Sequence, residues 1–172
     1  MTSPPTIHDA SAIISPALVI FRDRLIRNID AMIQIAGDPS RLRPHCKTHK
    51  TREVVGLQVD RGILKHKCAT FAEAEMLVES GVSDIFLAYN LVGPNIGRAV
   101  AFCSTYPNVI FSATADHSDP IRDLGTAMSA AGQQIEVLLD IDTGQHRTGI
   151  GVGDTAAGLY RQIHETDGLV TG

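Results

Sequence analysis

The sequence has little that suits a disulfide framework or a membrane. Its 172 residues contain three cysteines, Cys46, Cys68 and Cys103, which are too few and too widely spaced for such a framework, and no Cys-x-x-Cys pair indicates zinc or redox chemistry. No run approaches the roughly 18 consecutive apolar residues that span a bilayer. The first residues lack the basic start and apolar stretch of a signal peptide. We therefore expect reduced thiols, a cytoplasmic protein and no membrane partner.

A surplus of positive charge is also missing. Lysine and arginine together number 15 against 19 aspartates and glutamates, which gives a net charge of −4. Because phosphates are neutralised by basic side chains, we expect no nucleic-acid partner. The charged residues are interspersed with apolar ones, and the 44% hydrophobic content is enough for one sizeable core. The chain is therefore predicted to fold throughout, apart from a Pro-rich, mobile leader over residues 1–14.

Strand-like and helical patterns alternate along the rest of the chain. The strand-like segments are continuous apolar runs, which is typical of parallel strands covered by helices. With connections this short, the alternation predicts an open doubly wound sheet or a (β/α)8 barrel. The predicted strands cover residues 17–21, 42–47, 63–69, 84–88, 109–114 and 135–141, the start of another strand follows residue 168, and the predicted helices cover residues 23–36, 52–60, 71–79, 95–105, 120–131 and 155–165.

Local signals mark several element boundaries. Thr70-x-x-Glu73 has the form of a capping box, and Ser80-Gly81 is typical of a helix end. Asp119-Pro120 places a capping residue before a proline in the first turn of a helix. A (β/α)8 barrel typically needs about 250 residues. A barrel interpretation therefore implies an incomplete domain over residues 15–172, without its last strands.

The densest group of reactive side chains covers residues 43–51, at the end of a predicted strand. Active sites of α/β folds lie at such strand ends. If the segment is extended, His45, Lys47 and His49 share one face. A partly desolvated lysine between two imidazoles is poised to attack a carbonyl and form an imine. A basic loop without function explains the segment equally well, and the spacing of His45 and His49 is a weak indication of a metal because Pro44 opposes a helix there.

A second group follows the strand at residues 135–141. Asp142 and Arg147 lie where a strand end meets a glycine-rich loop, which is a suitable place to hold an anionic or phenolic oxygen. An Asp–Arg pair that fixes the loop is the alternative. The glycines at 149, 151 and 153 lack the spacing of a dinucleotide-binding loop.

Other polar residues are weaker candidates. Lys65 and Lys67 alternate with His66, so that one of the two faces could enter a barrel, although solvated strand ends explain basic residues equally well. Tyr89-Asn90 could line the same mouth as Lys47, although a tyrosine at a strand end is more often packed. Surface exposure is the simplest explanation for His117, His146 and His164, and capping or exposure for Glu73 and Glu75.

Four strings occur together and in a characteristic order: residues 15–20, 41–50, 68–76 and 139–150. In them the Arg-Pro-His-x-Lys-x-His-Lys and Asp-x-Gly-x-x-Arg-x-Gly patterns resemble the N-terminal portion of the D-threonine aldolase and D-serine dehydratase family. These are fold-type III pyridoxal-phosphate enzymes with an alanine racemase-like barrel. The resemblance implies a partial (β/α)8 barrel in which residues 42–47 form the first strand. It also implies that Lys47 is the Schiff-base lysine, that Arg147 approaches the cofactor ring oxygen, and that His45 and His49 contribute to cofactor binding.

The resemblance further implies a lyase for D-β-hydroxy amino acids. It favours the retro-aldol cleavage of D-threonine to glycine and acetaldehyde, through a Schiff base on Lys47. Alternatives are a D-serine or D-3-hydroxyaspartate dehydratase, an amino-acid racemase and a non-catalytic pyridoxal-phosphate carrier. The family also uses a divalent metal (Mn, Mg or Zn), but its ligands and the phosphate-binding loops belong to a later part of the fold. We therefore expect no metal ligands in these residues, a truncated reading frame of low activity, and a homodimer for the full-length protein.

Overall fold

A computed structural model describes residues 6–172, which form alternating helices and parallel strands. The predicted leader lies partly outside the described residues, and its described part, residues 6–14, contains no helix or strand. No helix of residues 6–172 is long and apolar enough to cross a bilayer. The helices are α1 (Arg22–Ala36), α2 (Arg52–Val59), α3 (Phe71–Glu79), α4 (Pro94–Thr105), α5 (Ser118–Ala130) and α6 (Asp154–Glu165); the strands are β1 (Lys65–Cys68), β2 (Asp84–Asn90), β3 (Ile110–Ala115), β4 (Ile135–Leu139), β5 (Ile141–Asp142), β6 (Ile150–Gly151) and β7 (Leu169–Thr171).

Five of the strands form one parallel sheet in the order β1-β2-β3-β4-β7. Each strand lies beside the strand that precedes it in this sheet. In a doubly wound sheet the order would reverse at a switch point, and the described strands show no such reversal. The topology is therefore that of part of a (β/α) barrel, as predicted. The strand that was expected to begin after residue 168 is β7.

The hydrophobic core lies between the helices and one face of this sheet. Alternate residues of each strand, such as Ile85 and Val137, are buried there. Phe71 of α3, Phe102 of α4 and Phe111 of β3 form a cluster in which ring centroids are 4.4 to 6.2 Å apart. Burial of each such side chain contributes about 1.5–3 kcal/mol, so that this layer fixes the relative positions of the strands.

The opposite face of the sheet carries polar and charged side chains. Lys65, Lys67 and Glu136 alternate with the buried residues of their strands and are partly exposed. Asp84, on the same face of β2, accepts two hydrogen bonds from Arg43, at 2.5 and 3.0 Å. The candidate site lies at the carboxyl ends of the strands and is bordered by this face of the sheet.

The predicted strand at residues 17–21 is wrong. The segment has no regular structure, and Leu18 is 70% exposed. An isolated strand is not stable without a neighbour to complete its hydrogen bonds, and no described strand lies beside this segment. Its apolar composition was therefore not sufficient to predict a strand.

The predicted strand at residues 42–47 is also wrong in most of its length. Only His45 pairs with Lys67, in an isolated parallel bridge, and the Lys67 N–H donates to the Pro44 carbonyl at 2.9 Å. Pro44 has no N–H to offer a ladder. Directly after it, Cys46–Thr48 forms a 3₁₀ turn. Strand alternation therefore stops at His45, and the prediction that His45, Lys47 and His49 share one face is wrong.

Helix boundaries follow the predictions within a few residues. Helix α3 has the predicted bounds, with Thr70 as its N-cap and Ser80 as its C-cap. Helix α5 begins earlier than predicted because the N-cap is His117, whose Nδ1 accepts from the Asp119 N–H at 3.2 Å. Asp119 therefore lies inside the first turn and is not its cap.

Candidate active site

A cavity of about 530 Å³ opens at the carboxyl ends of β1–β4. Catalytic residues of barrel enzymes come from this end of the strands. The cavity brings together residues of the two predicted groups, His45 and Lys47 from the first and Arg147 from the second, and it is also lined by Lys67, Tyr89 and Asn90.

Lys47 projects from the 3₁₀ turn that follows His45. The His45 Nδ1 accepts a hydrogen bond from the Lys47 N–H at 3.2 Å, which starts the turn, and Cys46 is fully buried beneath it. The Lys47 side chain is exposed to the cavity and has no ion pair within residues 6–172. The turn thus places the primary amine of Lys47 at the cavity, and the buried side chain of Cys46 anchors the turn in the core.

The imidazole of His45 is adjacent to two ammonium groups. Burial and then the charges of Lys47 and Lys67 lower the pKa of His45 below its usual value. The neutral ring is therefore favoured at neutral pH. Because Nδ1 accepts from the backbone, the proton of this neutral ring lies on Nε2, which makes His45 a hydrogen-bond donor at that atom.

Glu73 supports the turn from below, a role that the sequence analysis missed. Its side chain is 4% exposed, forms an ion pair with Lys50, and accepts from the Ala69 N–H at 2.8 Å. The Cys46 thiol lies 3.9 Å from the same carboxylate. The Glu73 N–H donates to the Thr70 hydroxyl at 3.2 Å, so that the predicted capping is confirmed, whereas exposure is wrong for Glu73 and holds for Glu75.

The pKa of Glu73 reflects these contacts. Burial alone would raise it, but the Lys50 ammonium and the Ala69 N–H lower it below its usual value. A helical signal could have indicated its position, since Glu73 lies one turn before the buried Leu77 and shares its face.

One group of potential metal ligands occurs within residues 6–172. A ligand atom of His45, of Cys46 and of Glu73 lie within 4.8 Å of one another. Burial, and then the charge of Glu73, raise the pKa of Cys46 to about 11, so that the thiolate a metal needs is disfavoured. Lys50 and the Ala69 N–H already occupy the carboxylate. These donors therefore do not fit a divalent metal.

His49 does not belong to the cavity lining. Its Nδ1 accepts from the Thr51 N–H at 3.1 Å, and burial lowers its pKa. The 3₁₀ turn is the reason, because it rotates His49 away from the direction that an extended segment would give it. The structure therefore does not support a contact between His49 and a ligand of this cavity.

Arg147 lies on the loop between β5 and β6. Asp142 does not pair with it; the Asp142 carboxylate instead accepts from the N–H groups of Gly144 and His146, at 2.9 and 3.0 Å, and from the His146 ring at 2.8 Å. The two backbone donors, His146 first, lower the pKa of Asp142. Asp142 thus shapes the loop and leaves the Arg147 guanidinium free to face the cavity, without an ion pair in the described part of the chain.

A second carboxylate, Asp116, ties this loop to the sheet and was also missed. Its Oδ2 accepts from the Gly149 N–H at 2.9 Å, and its Oδ1 accepts from the side-chain amide of Asn90. Gly149 has φ +91°, and a Cβ there would lie 2.7 Å from the Asp142 nitrogen. Glycine is therefore required at this close approach between the loop and the end of the strand.

The cavity shows how Tyr89 and Lys67 are oriented. Tyr89 is 64% exposed and lines the cavity, so it is not a packed residue. Lys67 faces the cavity, whereas His66 is buried on the opposite face, with its Nε2 2.9 Å from Gln58 Oε1.

The cavity is positively charged in a protein of net negative charge. Three cations, Lys47, Lys67 and Arg147, line it together with one carboxylate, Asp140. An amine, a guanidinium and a neutral imidazole therefore meet at one opening. This combination suits an anionic ligand with a carbonyl group that an amine can attack.

Comparisons with known proteins agree with this arrangement. Residues 20–171 match the family model described as alanine racemase, N-terminal domain. The chain is 31% identical over 129 residues to a D-threonine aldolase of Arthrobacter sp, covering 74% of the chain and 33% of the relative. It is 31% identical over 154 residues to the D-threo-3-hydroxyaspartate dehydratase of Delftia sp. (strain HT23), covering 88% and 40%.

A similar solved structure is the D-threonine aldolase from Filomicrobium marinum. The TM-score is 0.83 and the identity 32%, and the match covers 93% of this chain and 43% of that protein. The chain thus spans about a third to two fifths of the curated relatives' length. The family match over residues 20–171 includes every residue that lines the candidate site.

Proposed function

The chain belongs to the alanine racemase N-terminal domain family, and from that premise we propose that it carries the cofactor-anchoring site of a pyridoxal-phosphate-dependent lyase for D-β-hydroxy amino acids. One observation carries the proposal. The amine of Lys47 and the guanidinium of Arg147, neither of which forms an ion pair within residues 6–172, share a cavity at the carboxyl ends of parallel strands.

The residues of the cavity fit this cofactor. Lys47 offers the amine that binds its aldehyde, and Arg147 offers donors for the phenolic oxygen of its ring. When bound, pyridoxal phosphate supplies an electron-withdrawing ring that stabilises negative charge at the Cα of an amino acid. The guanidinium of Arg147 compensates part of the negative charge of such a ligand.

The other side chains bind, orient and hold protons. The neutral ring of His45 holds a proton at Nε2, and a hydrogen bond to the Lys67 backbone partly offsets the lowering of its pKa. When it is not bound covalently, Lys47 can accept or donate a proton at Nζ. The 3₁₀ turn fixes the backbone from which the Lys47 side chain projects into the cavity.

The reaction that we favour is retro-aldol cleavage. D-Threonine loses its Cα–Cβ bond, the β-hydroxyl oxygen gives up its proton and becomes the oxygen of acetaldehyde, and Cα takes a proton to give glycine. The relatives named D-threonine aldolase support this choice. Dehydration is the second candidate, because the Delftia relative named a dehydratase matches a longer part of the chain. A homodimer and a cytoplasmic location stay predictions.

The experiment that tests the proposal is borohydride reduction of the protein in the presence of pyridoxal phosphate, followed by peptide mapping. We expect a stable label on Lys47 and none in the Lys47→Ala variant. A matched control is Lys50→Ala, which should retain the label at Lys47. Labelling of Lys50 or Lys67 in the unmodified protein would contradict the assignment. Product assays with D-threonine then separate cleavage, which yields glycine and acetaldehyde, from dehydration, which releases ammonia.

A further inference from the structure

Lys67 is a cation that lines the cavity, and the proposed function assigns no role to it. It lies on β1 with its ammonium 5.5 Å from the centroid of the Phe86 ring. No carboxylate within residues 6–172 forms an ion pair with it. By contrast Arg43, which is also near Phe86, is neutralised by its bidentate contact with Asp84. Lys67 therefore presents a charge to the cavity that no ion pair of the described residues compensates.

The position of this charge is fixed by the sheet. The Lys67 N–H donates to the Pro44 carbonyl at 2.9 Å, and Lys67 pairs with His45 on one side and with Phe86 on the other. Lys47 and Lys67 both act electrostatically on the imidazole of His45. Both lysines also line the same cavity, so that a ligand attached at Lys47 shares that cavity with Lys67.

We propose that Lys67 forms an anion subsite that binds the side-chain carboxylate of a dicarboxylic substrate, a D-β-hydroxy amino acid of the 3-hydroxyaspartate type. The inference rests on the proposed function and deepens it by assigning the substrate class. The methyl group of D-threonine has no hydrogen-bond acceptor for an ammonium, and contact with it would desolvate the charge of Lys67 without compensation. A carboxylate at the same position forms a charge-assisted hydrogen bond. Cleavage breaks the same Cα–Cβ bond, and glyoxylate leaves in place of acetaldehyde.

Relatives of both substrate types match this chain. Besides the aldolases named for D-threonine, a relative of Paracoccus denitrificans is named 3-hydroxy-D-aspartate aldolase. In this chain, the cation of Lys67 favours the dicarboxylic substrate over D-threonine. A second source of the same anionic chemistry is the phosphate of the cofactor, and the experiment must separate the two.

The test compares Lys67→Met with the unmodified protein, since methionine keeps the apolar stem beside Phe86 and removes the charge. The matched control is Lys65→Met, which lies on the same strand and face but outside the cavity lining. For Lys67→Met we expect a fall in kcat/KM of about tenfold to a hundredfold with D-threo-3-hydroxyaspartate, the loss typical of one charge-assisted hydrogen bond. The value for D-threonine should change less than about threefold, and Lys67→Arg should restore much of the loss.

A binding measurement gives a readout that does not depend on turnover. D-Aspartate should bind the unmodified protein more tightly than D-alanine does, and Lys67→Met should remove that difference. The Kd of pyridoxal phosphate should be the same in both proteins. Weaker cofactor binding in Lys67→Met would assign the subsite to the phosphate and overturn the proposal, as would an equal loss for both substrates. Failure of the proposed function is distinguishable, because it appears as the absence of the label on Lys47.

Discussion

The carboxylate of Asp116 accepts a hydrogen bond from the backbone N–H of Gly149 at 2.9 Å. Through this contact, and through the side-chain amide of Asn90, the loop that carries Arg147 is tied to the end of β2. Asp116 does not line the cavity itself. It is therefore a positioning residue, which sets where the Arg147 guanidinium lies.

Replacement of Asp116 should weaken the binding of pyridoxal phosphate. Asp116→Asn keeps the shape of the side chain but loses one of two acceptors, so that a charge-assisted hydrogen bond of about 1.5–3 kcal/mol is removed. We expect the Kd of the cofactor, measured by absorbance titration, to rise about tenfold. Asp119→Asn is the matched control, since Asp119 is exposed and its ion pairs within residues 6–172 are with His117 and Arg122. An unchanged Kd in Asp116→Asn would show that the loop is positioned without this carboxylate.

Substitution of Gly149 should damage the same loop. Its φ of +91° is unfavourable for alanine, and the new Cβ would lie 2.7 Å from a backbone nitrogen. Strain of this kind costs about 1–3 kcal/mol, which we expect as a loss in the free energy of unfolding in urea, together with weaker cofactor binding. Gly151→Ala is the control two residues away, because nothing lies within 4 Å of a Cβ there. Equal stabilities of the two variants would refute the requirement for glycine.

The Lys50–Glu73 ion pair predicts a loss of stability in acid. Glu73 has a lowered pKa, so its contribution is complete above the unfolded value of about 4.3 and is lost as the pH falls through the folded pKa. Glu73→Gln should be less stable than the unmodified protein at pH 7, by about 1–3 kcal/mol, and the difference should shrink below about pH 4. The control is Glu75→Gln, which changes an exposed residue of the same helix. A difference that does not depend on pH would contradict this account.

His66 predicts a second loss of stability, at milder acidity. Burial, with smaller contributions from the charges of His49 and Arg43, lowers the pKa of His66 to about 4. The imidazole of His66 is therefore protonated near pH 6.5 in the unfolded chain, but only at a lower pH in the folded protein. Stability is unaffected above that pH and should fall by on the order of 3 kcal/mol between about pH 6.5 and 4.

Chemical unfolding at several pH values checks this prediction. His66→Asn should show a smaller slope of the free energy of unfolding against pH over that interval, whatever its stability at pH 7. His164→Asn, at an exposed position of α6, should retain the slope of the unmodified protein. If His66→Asn kept that slope as well, another group would have to be responsible.

The parallel β/α architecture and the convergence of Lys47 and Arg147 on one cavity could be predicted from the sequence for one physical reason. The carboxyl ends of parallel strands meet at one edge, so that reactive residues placed after two such strands converge even when they are distant in sequence. The helical periodicity was equally informative, because burial of one face dictates it.

Contacts that depend on exact backbone position could not be predicted. Asp116 and Glu73 act through hydrogen bonds to backbone N–H groups of other segments, and no local pattern indicates which group a carboxylate will meet. The segment at residues 42–47 has the composition of a strand, but Pro44 and the capping imidazole of His45 favour a turn instead. Whether a segment forms a strand also depends on a neighbouring strand that completes its hydrogen bonds, and composition does not reveal that neighbour. This applies both to residues 42–47 and to residues 17–21.

The distance between the cavity residues along the chain has a thermodynamic consequence. Lys47 and Arg147 lie 100 positions apart in the sequence and face one cavity only after four strands and their helices have docked. A ligand that contacts both therefore binds the folded chain and not the unfolded one. At a free concentration of about a hundred times its Kd, such a ligand adds about 2.7 kcal/mol to the free energy of unfolding. Occupancy of the cavity thus becomes a source of stability for the entire sheet.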